Sequence, residues 1–388
     1  MIPVSLLRHA PTTPTAHGTR GRWTALGAGA SAAVLLTGCM SGGGGADVAA
    51  ADFQDPVAGE VAEGSLEGTQ MTFVSWGGGY QDGQEQAFVT PFAEASGATV
   101  MTDGPTDDAK LQAQVDSGNV QWDMIVSSAI QSAAYCDELY EPLDLSLIDT
   151  SQIPEGMPTG ECFLPAMSYG AGFFYDADRY GDDPPTGWED FFDTEAFPGT
   201  RGIEGTSSPT GGTFEAALLA DGVAPEDLYP LDTDRALEVY ASLGEENTAF
   251  WTSGAEQTQM IQGGEVDMIF GWSGRVYEAN KAGANWKPVW NQAFLASDSL
   301  SVSKGSQNSV AAHALINYAL GAEQQATQME LTTYSPVNVG AEPEIDAALE
   351  EFDVSRPEIT EQMLTQDVEY WGENFGELST IWYEFVSK

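Results

Sequence analysis

Positive charge is what this sequence has least of. Its 388 residues include 13 Lys and Arg against 59 Asp and Glu, a formal net charge of −46. A surface that negative repels nucleic acid, whose phosphates need Lys and Arg to neutralise them, so nucleic-acid partners are excluded. The acids are spread along the whole length, which fits solubility in a saline habitat or a funnel for cations, and says nothing about fold. Histidine is nearly as scarce, and beyond Cys39 only His313 remains, in an apolar helical stretch. One imidazole assembles neither a His-bearing catalytic triad nor a multi-His metal site. No P-loop pattern, Ser elbow or zinc-spaced cysteine set occurs, and Gly77, Gly78 and Gly79 fit no phosphate motif. A two-carboxylate glycosidase is harder to exclude among so many acids, but nothing singles out a pair. The expectation is a protein without metal, cofactor or covalent chemistry.

Long hydrophobic runs are missing as well. The longest, residues 23–36 behind Arg20 and Arg22, falls short of the about 20 apolar residues that span a bilayer. It ends in Leu36-Thr37-Gly38-Cys39, the pattern of a secretory signal with a lipobox. Residues 1–38 therefore read as a lipoprotein signal peptide. Cys39 reads as the acylated first residue of an extracytoplasmic chain, at the cell surface or in the periplasm. Residues 39–68, opening with Ser41 and four glycines, read as a flexible tether. With Cys39 lipidated, Cys136 and Cys162 remain as a pair in an oxidising compartment. A disulfide between them is expected, and two unpaired buried thiols are the alternative.

What is present is ordinary for a folded domain: 42% of the residues are apolar, enough to build a core. Short apolar runs alternate with amphipathic stretches. Strands are expected at 71–76, 98–101 and 122–126, and helices at 84–95 and 107–116. A second set follows, with a helix at 213–220, a helix at 255–263, a strand at 266–272, a helix at 276–283 and a strand at 286–290. Phe173-Phe174-Tyr175 reads as a strand leaving the first set. Leu300-Ser301-Val302 and a helix at 309–320 read as the return, and 368–385 as closing helices. This alternation implies parallel α/β units, in which ligands sit beyond the C-terminal ends of the strands. The rule points Trp76, Tyr80 and Ser128 into one crevice.

These residues resemble the spermidine/putrescine-type periplasmic binding proteins of ABC importers. The resemblance spans about residues 70–340. It rests on Phe73-Val74-Ser75-Trp76 with Tyr80, on Trp122 to Ser128, on Phe174-Tyr175-Asp176, on Gly271-Trp272-Ser273-Gly274-Arg275, on Asp298-Ser299-Leu300 and on Tyr334-Ser335-Pro336-Val337-Asn338. It implies an α/β fold of the periplasmic-binding-protein type, with two lobes joined by a hinge and a ligand cleft between them. Residues 69–173 would form the first part of lobe 1 and 174–297 lobe 2, while 298–388 return to lobe 1 and end in helices. Such lobes close on a small ligand and present the closed form to membrane permease subunits. A monomer is expected.

Carried over position by position, the family's ligand site falls on Trp76, Tyr80, Ser128, Trp272, Arg275, Asp298 and Tyr334. In polyamine binders the place matching Arg275 often holds Asp, and further carboxylates stand where this chain has Pro209 and Gly212. A guanidinium beside a dication is electrostatically wrong, at a cost of roughly 1 to 4 kcal/mol for like charges a few ångströms apart. It suits a carboxylate, which Arg holds bidentately. Arg275 would then take a ligand carboxylate and Asp298 a ligand ammonium, with the aromatics covering the methylenes. This resembles the branch that binds γ-aminobutyrate and similar ω-amino acids, with putrescine or spermidine as the alternative. Other readings remain open from sequence. Arg275 and Asp298 could pair with each other, Trp76 and Trp272 could be core residues, and Asp123 reads as a solvated turn acid. A surface lipoprotein with no transport role is the remaining alternative.

Overall fold

The computed structural model describes Phe53 and residues 55–388; the signal segment, Cys39 and the first half of the expected tether lie outside the described residues. The last part of that tether is not free. Leu66 is buried, the Gly59 amide donates to the Asn317 carbonyl, and the Asn317 side chain donates to Val57 and Glu60. Apolar Leu66 and the Asn317 clamp override the local composition that suggested a linker.

Eight strands form one sheet in the order β2-β1-β3-β8-β4-β7-β5-β6. One end holds β1 (Gln70–Val74), β2 (Thr99–Asp103) and β3 (Met124–Ser128), all mutually parallel. The other holds β5 (Arg201–Glu204), β6 (Thr248–Trp251) and β7 (Met268–Trp272), again parallel. Helices cover these strands, so β3 is buried along its whole length and its apolar run needs no alternation.

Two long strands join the ends. β4 (Leu164–Asp176) and β8 (Trp286–Val302) pair antiparallel along their length, β8 pairing outward with β3 and β4 with β7. The ladder shifts register near Pro165, which has no N–H to give it, and again between Ala171 and Phe173. The strands expected at 286–290 and 300–302 are thus the two ends of β8. The polar stretch from Asn291 to Gln292, where Gln292 takes a left-handed φ of 58°, and the run Ser297-Asp298-Ser299 hid the continuity. The boundaries expected at 173/174 and 297/298 fall inside β4 and β8.

Several elements agree closely with the sequence pattern, including the helices Thr213–Ala220 and Gly254–Gly263. The helices Thr233–Ser242 and Ala322–Thr332 and the strand β6 were not anticipated. Asp123 is a correction: it is buried, accepting from the Thr72 amide, the Ser306 hydroxyl and the Asn308 amide, and so ties β1 to the turn after β8. His313 is structural, its Nε2 accepting from the Asp144 amide and its Nδ1 facing the Ser309 carbonyl. The tail is one long helix, Val368–Val386, and it touches both ends of the molecule. Phe375 packs edge-on to Tyr135, while Trp382 packs on Phe214 and Tyr240. No helix among the described residues is long and apolar enough to cross a membrane.

Cys136 and Cys162 are bonded, with Cα atoms 5.4 Å apart and a sequence separation of 26. The bridge fastens the end of the helix Ala129–Ala134 to the start of β4. Closing a loop of that length is worth about 3 kcal/mol through the unfolded chain. The Cys136→Ser/Cys162→Ser double variant is expected to lose that much in urea unfolding, and reductant should lower the midpoint of the parent but not of the variant.

Candidate ligand site

The strands end at a shared cavity. It measures about 470 Å³ and lies at the C-terminal ends of β1, β3, β5, β6 and β7, where side chains project beyond the sheet. All seven residues singled out from the sequence line it: Trp76, Tyr80, Ser128, Trp272, Arg275, Asp298 and Tyr334.

Asp298 is the centre of the arrangement. It sits on β8 opposite Ser128 of β3 and Met167 of β4, where the crossing strands meet the first end of the sheet. It is 6% exposed, and its Oδ2 accepts from Trp76 Nε1 at 3.0 Å. The Tyr80 hydroxyl is buried beside Asp298, outside strict hydrogen-bond geometry but close enough to act on the carboxyl. Among the described residues no basic side chain stands within ion-pair distance of Asp298. Burial therefore pushes its carboxyl up to about 7, with Tyr80, Trp76 and then the more remote Arg275 pulling the other way.

Three tyrosines frame this acid. Tyr334 meets Tyr80 edge to face at 5.2 Å and Tyr169 at 5.8 Å. Tyr334 is aimed by its neighbours: Thr333 ends the helix Ala322–Thr332 with a left-handed φ of 69°, and Ser335 exchanges backbone hydrogen bonds with Ser168 of β4. Burial raises all three phenols above the usual tyrosine range, Tyr80 and Tyr169 well above it.

Arg275 belongs to the helix Ser273–Lys281 that follows β7. The pairing of Arg275 with Asp298 is not made; its Nη1 pairs instead with Glu278 Oε2, three residues on, at 3.2 Å. Its Nε is buried without a hydrogen-bond partner. The guanidinium lies so close to Gly254 that a Cβ there would collide with Nε, and a Cβ on Gly274 would come within 2.6 Å of the Tyr334 ring. Two glycines thus let the cationic and aromatic walls approach. Trp272 is half-buried and packs edge-on to Trp251 at 4.8 Å, with Gln257 clamping its backbone N–H and C=O. Trp76 and Trp272 both combine core packing with a face on the cavity. Ser128 is committed locally, since its hydroxyl caps the helix Ala129–Ala134 in a reciprocal pair with Gln131.

Sequence reasoning missed part of the lining. Glu204, Tyr169 and a hydroxyl-rich wall including Thr206, Ser208, Thr252 and Ser253 also face the cavity. Glu204 ends β5 and Thr252 follows β6, so the rule that placed Trp76 and Ser128 would have found both had β5 and β6 been recognised.

Asp298 sets a pH dependence. Its folded value, about 7, lies above the usual carboxylate range, so the ligand-free fold is favoured by its protonated form. That contribution is complete below about pH 4 and is lost as pH rises through the folded value. Asp298→Asn should therefore gain thermal stability relative to the parent between about pH 5 and pH 8 in the absence of ligand. A midpoint difference constant across that range would contradict it.

Residues 87–351 match the family described as bacterial extracellular solute-binding protein. A γ-aminobutyric acid-binding protein of Pseudomonas aeruginosa is 30% identical over 326 residues, covering 82% of this chain and 91% of that protein. The putrescine-binding periplasmic protein SpuD of another Pseudomonas aeruginosa strain is 23% identical, covering 66% of this chain and 76% of its own. Among solved structures, the Atu4243–GABA receptor superposes with a TM-score of 0.75 at 33% identity, covering 82% of this chain and 98% of that one. The overall fold is thus shared with solved solute-binding proteins. The chain belongs to the bacterial extracellular solute-binding proteins and serves an ABC transporter as a binding protein, not as an enzyme.

Proposed function

We propose that the protein captures a small solute bearing both an ammonium and a carboxylate, an ω-amino acid such as γ-aminobutyrate, and hands it to the permease subunits of its transporter. One observation carries this reading. A cation and an anion, Arg275 and Asp298, line the same cavity without pairing with each other. Asp298 has Trp76 and Tyr80 beside it but no counter-charge, which a ligand ammonium would supply. Arg275 keeps an unused Nε donor, which a ligand carboxylate would accept from. Trp76, Trp272 and the tyrosines then cover the methylenes and add cation–π attraction. The names of the γ-aminobutyrate relatives support the same chemistry.

A polyamine is the second reading, favoured by the putrescine-binding relative and opposed by the cationic Arg275. In either case residues 69–173 with 298–388 and residues 174–297 act as the lobes that close on the ligand. Cys39 carries the lipid that keeps the monomeric protein at the outer face of the membrane.

The test is a comparison of two arginines. Arg356 is half-exposed, pairs with Glu350 and Glu358, and is not part of the cavity lining. Arg275→Ala should weaken γ-aminobutyrate binding by about 2 to 5 kcal/mol, as expected when one side of a buried charged contact is removed, whereas Arg356→Ala should not. Equal effects, or binding of putrescine and spermidine with no response to γ-aminobutyrate, would overturn the assignment.

A further inference from the structure

Glu204 is a buried acid to which an ω-amino acid gives no partner. It is the last residue of β5, lines the cavity and is 5% exposed. Its Oε1 accepts from the Thr206 hydroxyl at 2.7 Å, while Oε2 has no hydrogen bond among the described residues. No Lys or Arg among the described residues stands within ion-pair distance of it. It shares a cavity wall with the indole of Trp272: a Cβ on Gly211 would lie 3.8 Å from Trp272 Nε1 and 3.9 Å from Glu204 Oε2, so Gly211 adjoins both groups. Tyr169, which lines the same cavity, feels the charge of both Asp298 and Glu204. Buried carboxylates are retained in proteins when something charged or hydrogen-bonding completes them.

We infer that Glu204 binds a second cationic group of the ligand, so that the preferred solute is a diamino monocarboxylic acid and not a simple ω-amino acid. The inference rests on the assignment of Arg275 to the carboxylate and Asp298 to one ammonium. With those two positions filled, Glu204 beside Trp272 is left facing the cavity with a free oxygen and an aromatic neighbour suited to an ammonium or guanidinium. The cavity is large enough for a longer molecule, since pockets of about 300 to 1,000 Å³ accommodate drug-sized ligands. Burial raises the Glu204 carboxyl to about 7, so a ligand cation would also favour its ionised form. Thr206 hydrogen-bonds it, Trp272 lines the same cavity, Tyr169 and Tyr240 lie within reach of its charge, and among the described residues no Lys or Arg stands within ion-pair distance.

Calorimetric titrations of the soluble protein with γ-aminobutyrate, 2,4-diaminobutyrate, ornithine, lysine and putrescine, repeated on Glu204→Gln, test this. At least one of the diamino acids should bind about tenfold or more tighter than γ-aminobutyrate, as one charged hydrogen bond implies, and that ratio should collapse towards one in Glu204→Gln. If γ-aminobutyrate binds and no diamino acid improves on it, this inference fails and the ω-amino acid reading stands. If the advantage survives in Glu204→Gln, the second cation sits elsewhere and the assignment of Glu204 fails. If 4-amino-3-hydroxybutyrate gains as much as the diamino acids, Glu204 acts as a neutral hydrogen-bonding group, which also overturns it. If putrescine alone binds, the carboxylate position fails and takes this inference with it.

Discussion

The structure turns on a carboxylate buried without a counter-charge. An ionised Asp298 removed from water costs several kcal/mol unless something of opposite sign meets it. The protein supplies one indole N–H from Trp76 and a neighbouring phenol from Tyr80, but among the described residues no ammonium or guanidinium within pairing distance. That is a poor arrangement for stability and a good one for recognition. Within the protein alone that cost is met by taking up a proton, which raises the carboxyl to about 7, whereas a cation of suitable size and position lets the ionised form stay buried. Arg275 is arranged in the opposite sense, with a buried Nε that the protein leaves unsatisfied.

The long strands explain why this arrangement persists. Asp298 lies on β8, hydrogen-bonded on one side to β3 and on the other to β4. It cannot retreat to solvent without breaking the ladder that holds the two ends of the sheet together. Arg275 and Trp272 come from the other end, positioned by β7 and by the Gln257 clamp. A ligand touching both Asp298 and Arg275 therefore touches both ends at once. Differential contact of this kind is what lets a ligand shift a two-lobed protein towards closure.

Much of this was legible in sequence because the informative residues are rare. Arg275 is one of five arginines after Cys39, and Trp272 and Gly274 frame it in a short motif. Trp76, Ser128 and Trp272 follow apolar strands, where the strand-end rule places ligand contacts. The disulfide followed from counting thiols, and the geometry agrees. What was hidden depends on tertiary context. β8 reads as two short strands because its middle is polar, and that polarity includes Asp298 itself. Asp123 looks like a turn acid, since its three donors come from Thr72, Ser306 and Asn308, distant in sequence. Glu204 was one acid among 59, and only its position at the end of β5 distinguishes it.

The most direct test of the central claim is to count protons. Calorimetry of the tightest-binding amine solute in two buffers of different ionisation enthalpy, at about pH 6.5, gives the protons exchanged on binding. If a ligand ammonium completes Asp298, whose carboxyl sits at about 7 in the free protein, binding should release a substantial fraction of a proton. The release should shrink in Asp298→Asn and vanish at about pH 9, where the acid is already ionised. Binding with no proton exchange at the lower pH would show that Asp298 is not the group the ligand cation neutralises.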